Sequence, residues 1–278
     1  MATSEELPKA QFGPPLWLGN ENEGLAYHVF NPEGTESILL LHGGMTAATE
    51  WDLVLPHISK QYHIIVPDIP LHNQSRNIKL ENPGIDTRNI LRDLIKNSAK
   101  GGKAHIVGLS MGAYIGRRLA VQCPEVVSTC FLSGYSQLDW IPWKGSLAYI
   151  IYGVEFVGNK IPKRWIDDIE HASDTETPHD LGHFKKVWNL ILDNGDLKDK
   201  TWAARTVIVA ATKGGIIPTN DSVKDARTLA KLAENPESMA VQNKSMRHAW
   251  SRQGPKLFAE AIMCWIEKSP LPSSFEAI

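Results

Sequence analysis

A chain of 278 residues is long enough to bury the core of one large α/β domain. Hydrophobic residues make up 42% of it and charged residues 22%, a composition that excludes an intrinsically disordered chain. The 29 basic and 31 acidic residues leave a net charge of -2, so the chain lacks the excess positive charge that binds nucleic acid or an anionic membrane surface.

The cysteines and the N-terminal residues favour a reduced, intracellular protein. Cys123, Cys130 and Cys264 are too few and too scattered for a disulfide framework, and their spacing does not suggest a metal site. Residues 1–15 are polar and contain prolines, without the basic start and apolar run of a signal peptide. No stretch reaches the roughly 18 apolar residues of a membrane span. We therefore predict a cytoplasmic protein that does not span a membrane.

Apolar runs alternate with amphipathic stretches along most of the chain, which predicts a mainly parallel β-sheet with helices on both faces. The predicted strands are residues 24–30, 37–41, 62–66, 103–109, 126–132, 206–211 and 239–242. The predicted helices are residues 49–60, 85–100, 111–122, 219–234 and 255–268. Gly101 and Gly102 follow the second helix, as is typical of a helix end.

The alternation stops between residues 135 and 200, where the sequence is helical in pattern and rich in aromatic residues. We interpret this segment as a helical cap inserted into an α/β core of residues 16–134 and 201–268. Residues 1–15 and 269–278 contain several prolines and are predicted to be loose tails.

The sharpest functional motif is Gly108-Leu109-Ser110-Met111-Gly112, which follows a predicted buried strand and opens a predicted helix. In such a strand–turn–helix motif the chain turns so sharply that side chains two residues before and two residues after the serine would collide. Both positions therefore require glycine. The turn lifts the serine hydroxyl above the edge of the sheet. The motif therefore predicts Ser110 as a nucleophile.

A glycine-rich turn, His42-Gly43-Gly44-Met45, directly follows the apolar strand 37–41. Acyl transfer to a serine develops negative charge on the carbonyl oxygen, which two N–H donors stabilise. We expect the backbone N–H groups of Gly44 and Met111 to form this oxyanion hole.

The chain has ten histidines, and position along the chain distinguishes His248 from the other nine. It lies in Ser245-Met246-Arg247-His248-Ala249-Trp250, after the last long apolar run and before the final predicted helix. A loop at this edge of the sheet can lean over the nucleophile, so we predict His248 as the general base. The sequence assigns no special role to His42, His63, His105 or His183.

These elements, in this order, resemble the α/β-hydrolase superfamily from about Leu25 to Lys268. Residues 68–75 (Asp-Ile-Pro-Leu-His-Asn-Gln-Ser) correspond to a D-x-P-G-H-G-x-S stretch of relatives, with both glycines replaced. The resemblance implies that residues 135–200 cover an active site. It also implies that Ser110 attacks the substrate while His248 carries the proton, without a metal or organic cofactor.

The catalytic acid does not follow the family pattern. Relatives usually carry it after the seventh strand, where this chain has Gly214, or at the end of the sixth strand, where it has Gly134. Asp139 follows shortly after the sixth strand and could reach back, whereas Asp221 is expected to cap a helix. Three hypotheses stand: Asp139 supports His248, another carboxylate or polar group does so, or a Ser–His dyad works without an acid. Gly214 also predicts that no carboxylate after the seventh strand lies within reach of His248.

The aromatic residues of the cap favour a hydrophobic small molecule as substrate. We expect most of these rings to pack the cap onto the core and one or two to line the pocket: Tyr135, Trp140, Trp143, Tyr149, Tyr152, Phe156, Trp165, Phe184 and Trp188. The sequence favours a serine hydrolase acting on an ester- or thioester-type acyl bond. Two alternatives remain open, a lyase, condensing or cyclising enzyme of the same superfamily and a non-catalytic ligand receptor. The oligomeric state does not follow from the sequence.

Overall fold

The computed structural model describes residues 7–136, 149, 181–192, 197–214 and 220–278. Nine strands of the described residues form one sheet in the order β1-β2-β4-β3-β5-β6-β7-β8-β9. The strands are β1 (Leu16–Leu18), β2 (Leu25–Phe30), β3 (Glu36–Leu41), β4 (Tyr62–Pro67), β5 (Ala104–Leu109), β6 (Val127–Ser133), β7 (Arg205–Ala211), β8 (Met239–Asn243) and β9 (Glu276–Ala277). Strands β4, β3, β5, β6, β7 and β8 are parallel, which confirms the predicted mainly parallel sheet.

Helices cover both faces of the sheet, because alternate residues of its central strands enter two separate cores. On β3, Leu39 and Leu41 lie in one core, whereas Ile38 and Leu40 lie in the other. The described helices are α1 (Pro83–Ser98), α2 (Met111–Gln122), α3 (Leu181–Leu192), α4 (Val223–Ala230), α5 (Trp250–Gln253) and α6 (Pro255–Ile266). The first core contains side chains of α1 to α4, and the second contains side chains of α5 and α6. None of these helices is long and apolar enough to cross a membrane.

Residues 49–60 do not form the single helix that the sequence predicts. Two short 3-10 turns, Ala48–Trp51 and Leu55–His57, occupy the segment instead. The ring of Pro56 lacks the N–H that a continuous α-helix would need at this position. The Asp68 carboxylate accepts the Ala48 N–H at 2.8 Å and so holds the start of the first turn against the end of β4.

Parts of both terminal segments are packed on the domain, so the prediction of loose tails is wrong for these residues. Strand β9 pairs with β8 in an antiparallel orientation, and the Ile278 N–H donates to the Ala240 carbonyl at 3.0 Å. Near the N-terminus, the Phe12 ring packs edge-on against Phe30, with 5.1 Å between ring centroids. The Ala10 N–H also donates to the Asp52 carbonyl.

The described part of the predicted cap is held by α2. Helix α3 packs against α1 and α2, and its Phe184 and Val187 side chains are buried in the first core. At the two ends of segment 135–200, the buried Arg117 guanidinium donates to the Tyr135 hydroxyl at 2.6 Å and to the Leu197 carbonyl. The division into a core and a cap remains a prediction, because most of residues 135–200 lie outside the described ranges.

Candidate active site

Ser110 lies at the turn between β5 and α2 in an unusual backbone conformation. Its φ of 53° and ψ of -118° lie in a region of backbone conformation that residues other than glycine rarely adopt. Two hydrogen bonds hold this turn: the Ser110 N–H donates to the Ser133 carbonyl, and the Ala113 N–H donates to the Ser110 carbonyl, each at 2.8 Å. The surrounding backbone therefore holds Ser110 in this conformation at the end of β5.

The two glycines that flank Ser110 are required by steric exclusion. A Cβ atom at Gly108 would lie 2.3 Å from the Gly112 carbonyl oxygen. A Cβ atom at Gly112 would lie 2.1 Å from the Leu41 carbonyl oxygen, at the end of β3. The helix that begins after Ser110 thus approaches the neighbouring strand so closely that no side chain fits between them.

His248 is paired with Asp221. The His248 Nδ1 atom lies 2.6 Å from the Asp221 Oδ1 atom, and the Asp221 side chain is 2% exposed. The other carboxylate oxygen of Asp221 accepts the Ala211 N–H at 2.8 Å, and the Asp221 N–H donates to the Ala211 carbonyl. The carboxylate is therefore fixed to the last residue of β7 and aimed at the imidazole.

This contact corrects two expectations from the sequence. A carboxylate after the seventh strand does reach His248, although Gly214 occupies the usual position. Asp221 is not a helix cap, because the N-cap of α4 is Ser222, whose hydroxyl accepts the Asp225 N–H at 3.1 Å. Asp139, the acid tentatively chosen from the sequence, lies outside the described residues. Since Asp221 already binds Nδ1, the imidazole does not need Asp139 to set its tautomer.

The loop after β7 explains why sequence reasoning missed Asp221. The Gly214 N–H donates to the Asn220 side-chain oxygen at 2.7 Å, so the two ends of the loop are held together. Asp221 follows at once and returns to Ala211. The acid lies seven residues beyond Gly214 (221 − 214). A carboxylate directly before a helix N-cap was the one signal in the sequence that could have identified it.

The environment of His248 raises its pKa above the ordinary value of 6.5. Loss of hydration lowers the pKa, but the charge of Asp221 and its hydrogen bond outweigh this effect, and the charge of Glu50 adds to them. The His248 side chain remains 37% exposed. An imidazole stabilised in its charged form, yet accessible, can accept and return a proton.

Gly134, directly after β6, is where the imidazole and Ser110 approach each other. A Cβ atom at this residue would lie 2.6 Å from His248 Cε1, 3.1 Å from His248 Nδ1 and 3.2 Å from the Ser110 backbone nitrogen. The imidazole thus occupies the space beside position 134, where some relatives carry their acid. The structure thereby brings the two predicted catalytic residues to one place.

The turn His42–Met45 lies next to Ser110, since a Cβ atom at Gly43 would lie 3.7 Å from the Ser110 Cβ atom. The Gly43 N–H donates to Glu50 at 2.8 Å and the Met45 N–H donates to His72 at 3.2 Å, whereas the Gly44 N–H has no acceptor among the described residues. A Cβ atom at Gly44 would lie 3.9 Å from the Met111 Cβ atom. This proximity supports the predicted pairing of the Gly44 and Met111 N–H groups in an oxyanion hole.

His42 has a structural role that the sequence did not reveal. Its Nε2 atom accepts the Ile69 N–H at 2.9 Å, so Nδ1 carries the proton and donates to the Gly43 carbonyl at 2.7 Å. Burial lowers the pKa of His42 well below 6.5, which keeps the ring neutral. His42 therefore links the glycine-rich turn to segment 68–75.

Helix α3 lies over this turn. A Cβ atom at Gly44 would be 3.9 Å from a methyl carbon of Val187. Of the aromatic residues expected in the cap, Trp140, Trp143, Tyr152, Phe156 and Trp165 lie outside the described residues. Tyr135 and Phe184 are buried, and Trp188 is packed against the first core. These three rings therefore serve packing, whereas Tyr149 is 50% exposed and its ring lies beside the Lys185 ammonium. The prediction of an aromatic pocket stays a prediction.

Comparison with known proteins agrees with this architecture. A family model described as alpha/beta hydrolase fold matches residues 36–154. An AB hydrolase superfamily protein of Gibberella zeae is 34% identical over 254 residues, which cover 91% of this chain and 87% of that protein. The chain therefore belongs to the α/β-hydrolase superfamily, and the resemblance inferred from the motifs is confirmed.

A second relative and a solved structure are less similar to the chain in sequence. A pimeloyl-acyl-carrier-protein methyl ester esterase of Nitrosomonas europaea is 28% identical over 124 residues, 42% of this chain and 45% of that protein. A solved structure of a thermophilic esterase from Thermogutta terrifontis, with malate bound, has a TM-score of 0.66 at 18% identity, over 93% of this chain and 99% of that chain. At this identity the structural match shows likeness of fold alone.

Proposed function

We propose that the chain is a serine hydrolase that cleaves an ester- or thioester-type acyl bond of a hydrophobic small molecule. Ser110 attacks the acyl carbon while His248 takes its proton, and the Gly44 and Met111 N–H groups bind the resulting oxyanion. His248 then returns the proton to the leaving group. Water, deprotonated by the same imidazole, releases the acyl group from Ser110.

The observation that carries this proposal is the Asp221–His248 pair, which lies beside the turn that carries Ser110. Asp221 binds Nδ1 of His248 at 2.6 Å, which directs the Nε2 lone pair away from the acid. Gly134 lies between the same imidazole and the Ser110 backbone. Removal of the acid from such a triad lowers the rate by about 10⁴-fold, so an acid in place is a substantial part of the catalytic apparatus.

The preference for an apolar substrate rests on the described part of the cap and on the sequence. The methyl groups of Val187 on α3 lie beside Gly44, where the acyl carbon would be held. The methyl ester esterase of Nitrosomonas europaea, which matches part of the chain, supports ester cleavage as the reaction. We place the protein in the cytoplasm, with a small molecule rather than nucleic acid as its partner.

A fluorophosphonate probe and a series of p-nitrophenyl esters test this function. The hydroxyl of a competent Ser110 displaces fluoride from the probe, and mass spectrometry of the tryptic peptide locates the adduct. We expect labelling of Ser110 in the wild type and none in Ser110→Ala, together with ester hydrolysis that increases from acetate to longer acyl chains. Labelling without hydrolysis of any ester would favour lyase or cyclising chemistry, and a wild type that is not labelled would refute the proposed nucleophile.

A further inference from the structure

Glu50 is a buried carboxylate that the mechanism above does not use. It is 3% exposed and lies in the turn Ala48–Trp51, just after the glycine-rich turn beside Ser110. A carboxylate removed from water is stable only when hydrogen bonds or opposite charge compensate for the lost hydration. The groups that compensate Glu50 belong to two segments of the candidate site: the glycine-rich turn His42–Met45 and the segment that follows His248.

One oxygen of Glu50 binds the turn that carries Gly44. Oε2 accepts the Gly43 N–H at 2.8 Å and the Thr46 hydroxyl at 2.7 Å. The Gly43 carbonyl oxygen lies 2.7 Å from His42 Nδ1 and 2.9 Å from Thr46 Oγ1. Both polar groups of Gly43 are therefore fixed, one of them by Glu50 and the other by residues that surround it.

Fixing the Gly43 carbonyl also fixes the Gly44 N–H, because the two groups belong to one planar peptide unit. In a trans peptide the C=O and the N–H point in opposite directions. The chain has no cis peptide among the described residues. The carbonyl of Gly43 faces His42 and Thr46, so the Gly44 N–H must point to the opposite side, away from both. The network around Glu50 thus determines the direction of the proposed oxyanion donor.

The second oxygen of Glu50 reaches the segment that follows His248. Oε1 accepts the Ser251 hydroxyl at 3.2 Å, and Ser251 lies three residues after His248 in the chain. The next residue, Arg252, is paired with Asp52 and reaches only the backbone carbonyl of Glu50. Asp52 rather than Glu50 therefore neutralises Arg252, and the charge of Glu50 contributes to raising the pKa of His248.

We propose that Glu50 is a positioning residue for acyl transfer: it orients the Gly44 N–H and holds a second negative charge beside the segment that carries His248. The inference rests on the proposed serine mechanism and goes beyond it, since no acid besides Asp221 is needed for a triad. It predicts two separable effects, one on the orientation of the donor and one on the charge of the base.

The titratable groups around this pair allow the charge effect to be isolated. Asp221 faces His248 from the loop after β7, and Arg252 on α5 is neutralised by Asp52. His42 is kept neutral by burial, and its ring packs edge-on against His72. Removing the charge of Glu50 leaves Asp221 as the anion in contact with the imidazole. The pKa of His248 should therefore fall, while Asp221 continues to raise it.

The experiment measures the second-order rate constant of fluorophosphonate labelling from pH 5 to pH 9 in the wild type, Glu50→Gln and Glu50→Asp. Glutamine keeps the length and an acceptor for Gly43 but loses the charge, so we expect the midpoint of the rate–pH curve to move to lower pH. Aspartate keeps the charge but withdraws it by one methylene, so we expect an unchanged midpoint. Its plateau should be about tenfold lower, since complete loss of an oxyanion donor costs roughly 10²–10³-fold.

Glu234→Gln serves as the matched control, because its exposed carboxylate binds the Thr201 hydroxyl and should leave both values unchanged. If Glu50 variants do not fold by circular dichroism, Thr46→Val keeps the shape and the charge while removing the hydroxyl on Oε2, and its plateau should fall. A wild type without labelling at Ser110 overturns the proposed function. If the wild type is labelled but the Glu50 variants have the same midpoint and plateau as the wild type, this inference alone is overturned. The same holds for Thr46→Val where it replaces them.

Discussion

His248 Nδ1 lies 2.6 Å from Asp221 Oδ1, although Asp221 lies ten positions beyond Ala211, the last residue of β7. The carboxylate is brought back by its bond to the Ala211 N–H, so it occupies the place of an acid that directly follows the strand. An acid in this position holds the imidazole in the tautomer that can accept a proton from Ser110.

Replacement of Asp221 by asparagine should lower kcat by about 10³–10⁴-fold, because the amide NH2 would bind Nδ1 as a donor and leave the proton on Nε2. The fold should survive, since the asparagine oxygen can still accept the Ala211 N–H. Ester hydrolysis and circular dichroism measure the two effects. Asp139→Asn is the comparison variant, and a larger loss of kcat there than in Asp221→Asn would return Asp139 to the role of the acid.

The rate of the wild type should depend on pH through His248. The neutral imidazole is the base, so kcat/KM should rise with pH and level off above the pKa, which Asp221 raises above 6.5. In Asp221→Asn the midpoint should move to lower pH, because the charge that stabilises the protonated ring is gone. A profile of the wild type that stays flat from pH 5 to pH 9, with chemistry shown to limit the rate, would contradict a histidine base.

Alanine at position 134 should disable the site without unfolding the protein. Its Cβ atom would lie 2.6 Å from His248 Cε1, so the imidazole must move away from Ser110. We expect probe labelling of Ser110 to fall by about 10²-fold or more, since small displacements of a catalytic group are costly. Gly101→Ala is the control: it has a similar positive φ of 62° but open space around it, and should cost only about 1 kcal/mol of stability. Equal labelling rates in the two variants would argue against the steric explanation.

The sequence predicted the central strands and the nucleophile turn because both depend on local patterns. Continuous apolar runs identify β3, β5 and β7, and the glycines around Ser110 reflect contacts within a few residues or with the adjacent strand. The edge strands β1 and β9 are only 3 and 2 residues long, too short for a period to be recognised.

The features that the sequence missed depend on how distant segments meet. Asp221 becomes the partner of His248 only because the Gly214 N–H and the Asn220 side chain close the loop between them. Glu50 acts on a turn seven residues away and on α5, 201 residues away, and no spacing in the chain marks such a network. Local periodicity carries no information on contacts of this kind.

Arg117 should be important for stability, because it joins both ends of segment 135–200 to α2. Its guanidinium is buried and donates to the Tyr135 hydroxyl and the Leu197 carbonyl. Arg117→Met removes these donors and leaves the acceptors unsatisfied, so we expect a loss of about 2–4 kcal/mol in the free energy of unfolding in urea. Tyr114→Phe removes the two hydrogen bonds of the Tyr114 hydroxyl, one to the Ser136 carbonyl and one from the Ser136 N–H, and should cost about 1–2 kcal/mol. A loss below that of Tyr114→Phe would show that Arg117 does not hold these ends.

Glycine at position 110 should make the protein inactive but more stable than alanine at the same position. The φ of 53° and ψ of -118° are accessible to glycine, whereas a residue with a Cβ is strained there by about 1–3 kcal/mol. Glycine also gains freedom in the unfolded chain, which costs about 0.4–1 kcal/mol. The difference leaves Ser110→Gly more stable than Ser110→Ala by up to about 2 kcal/mol, measurable as a higher urea midpoint at equal slope. If alanine proves equal or more stable, the turn relaxes around Cβ, and the strain at Ser110 is not imposed by the bonds to Ser133 and Ala113.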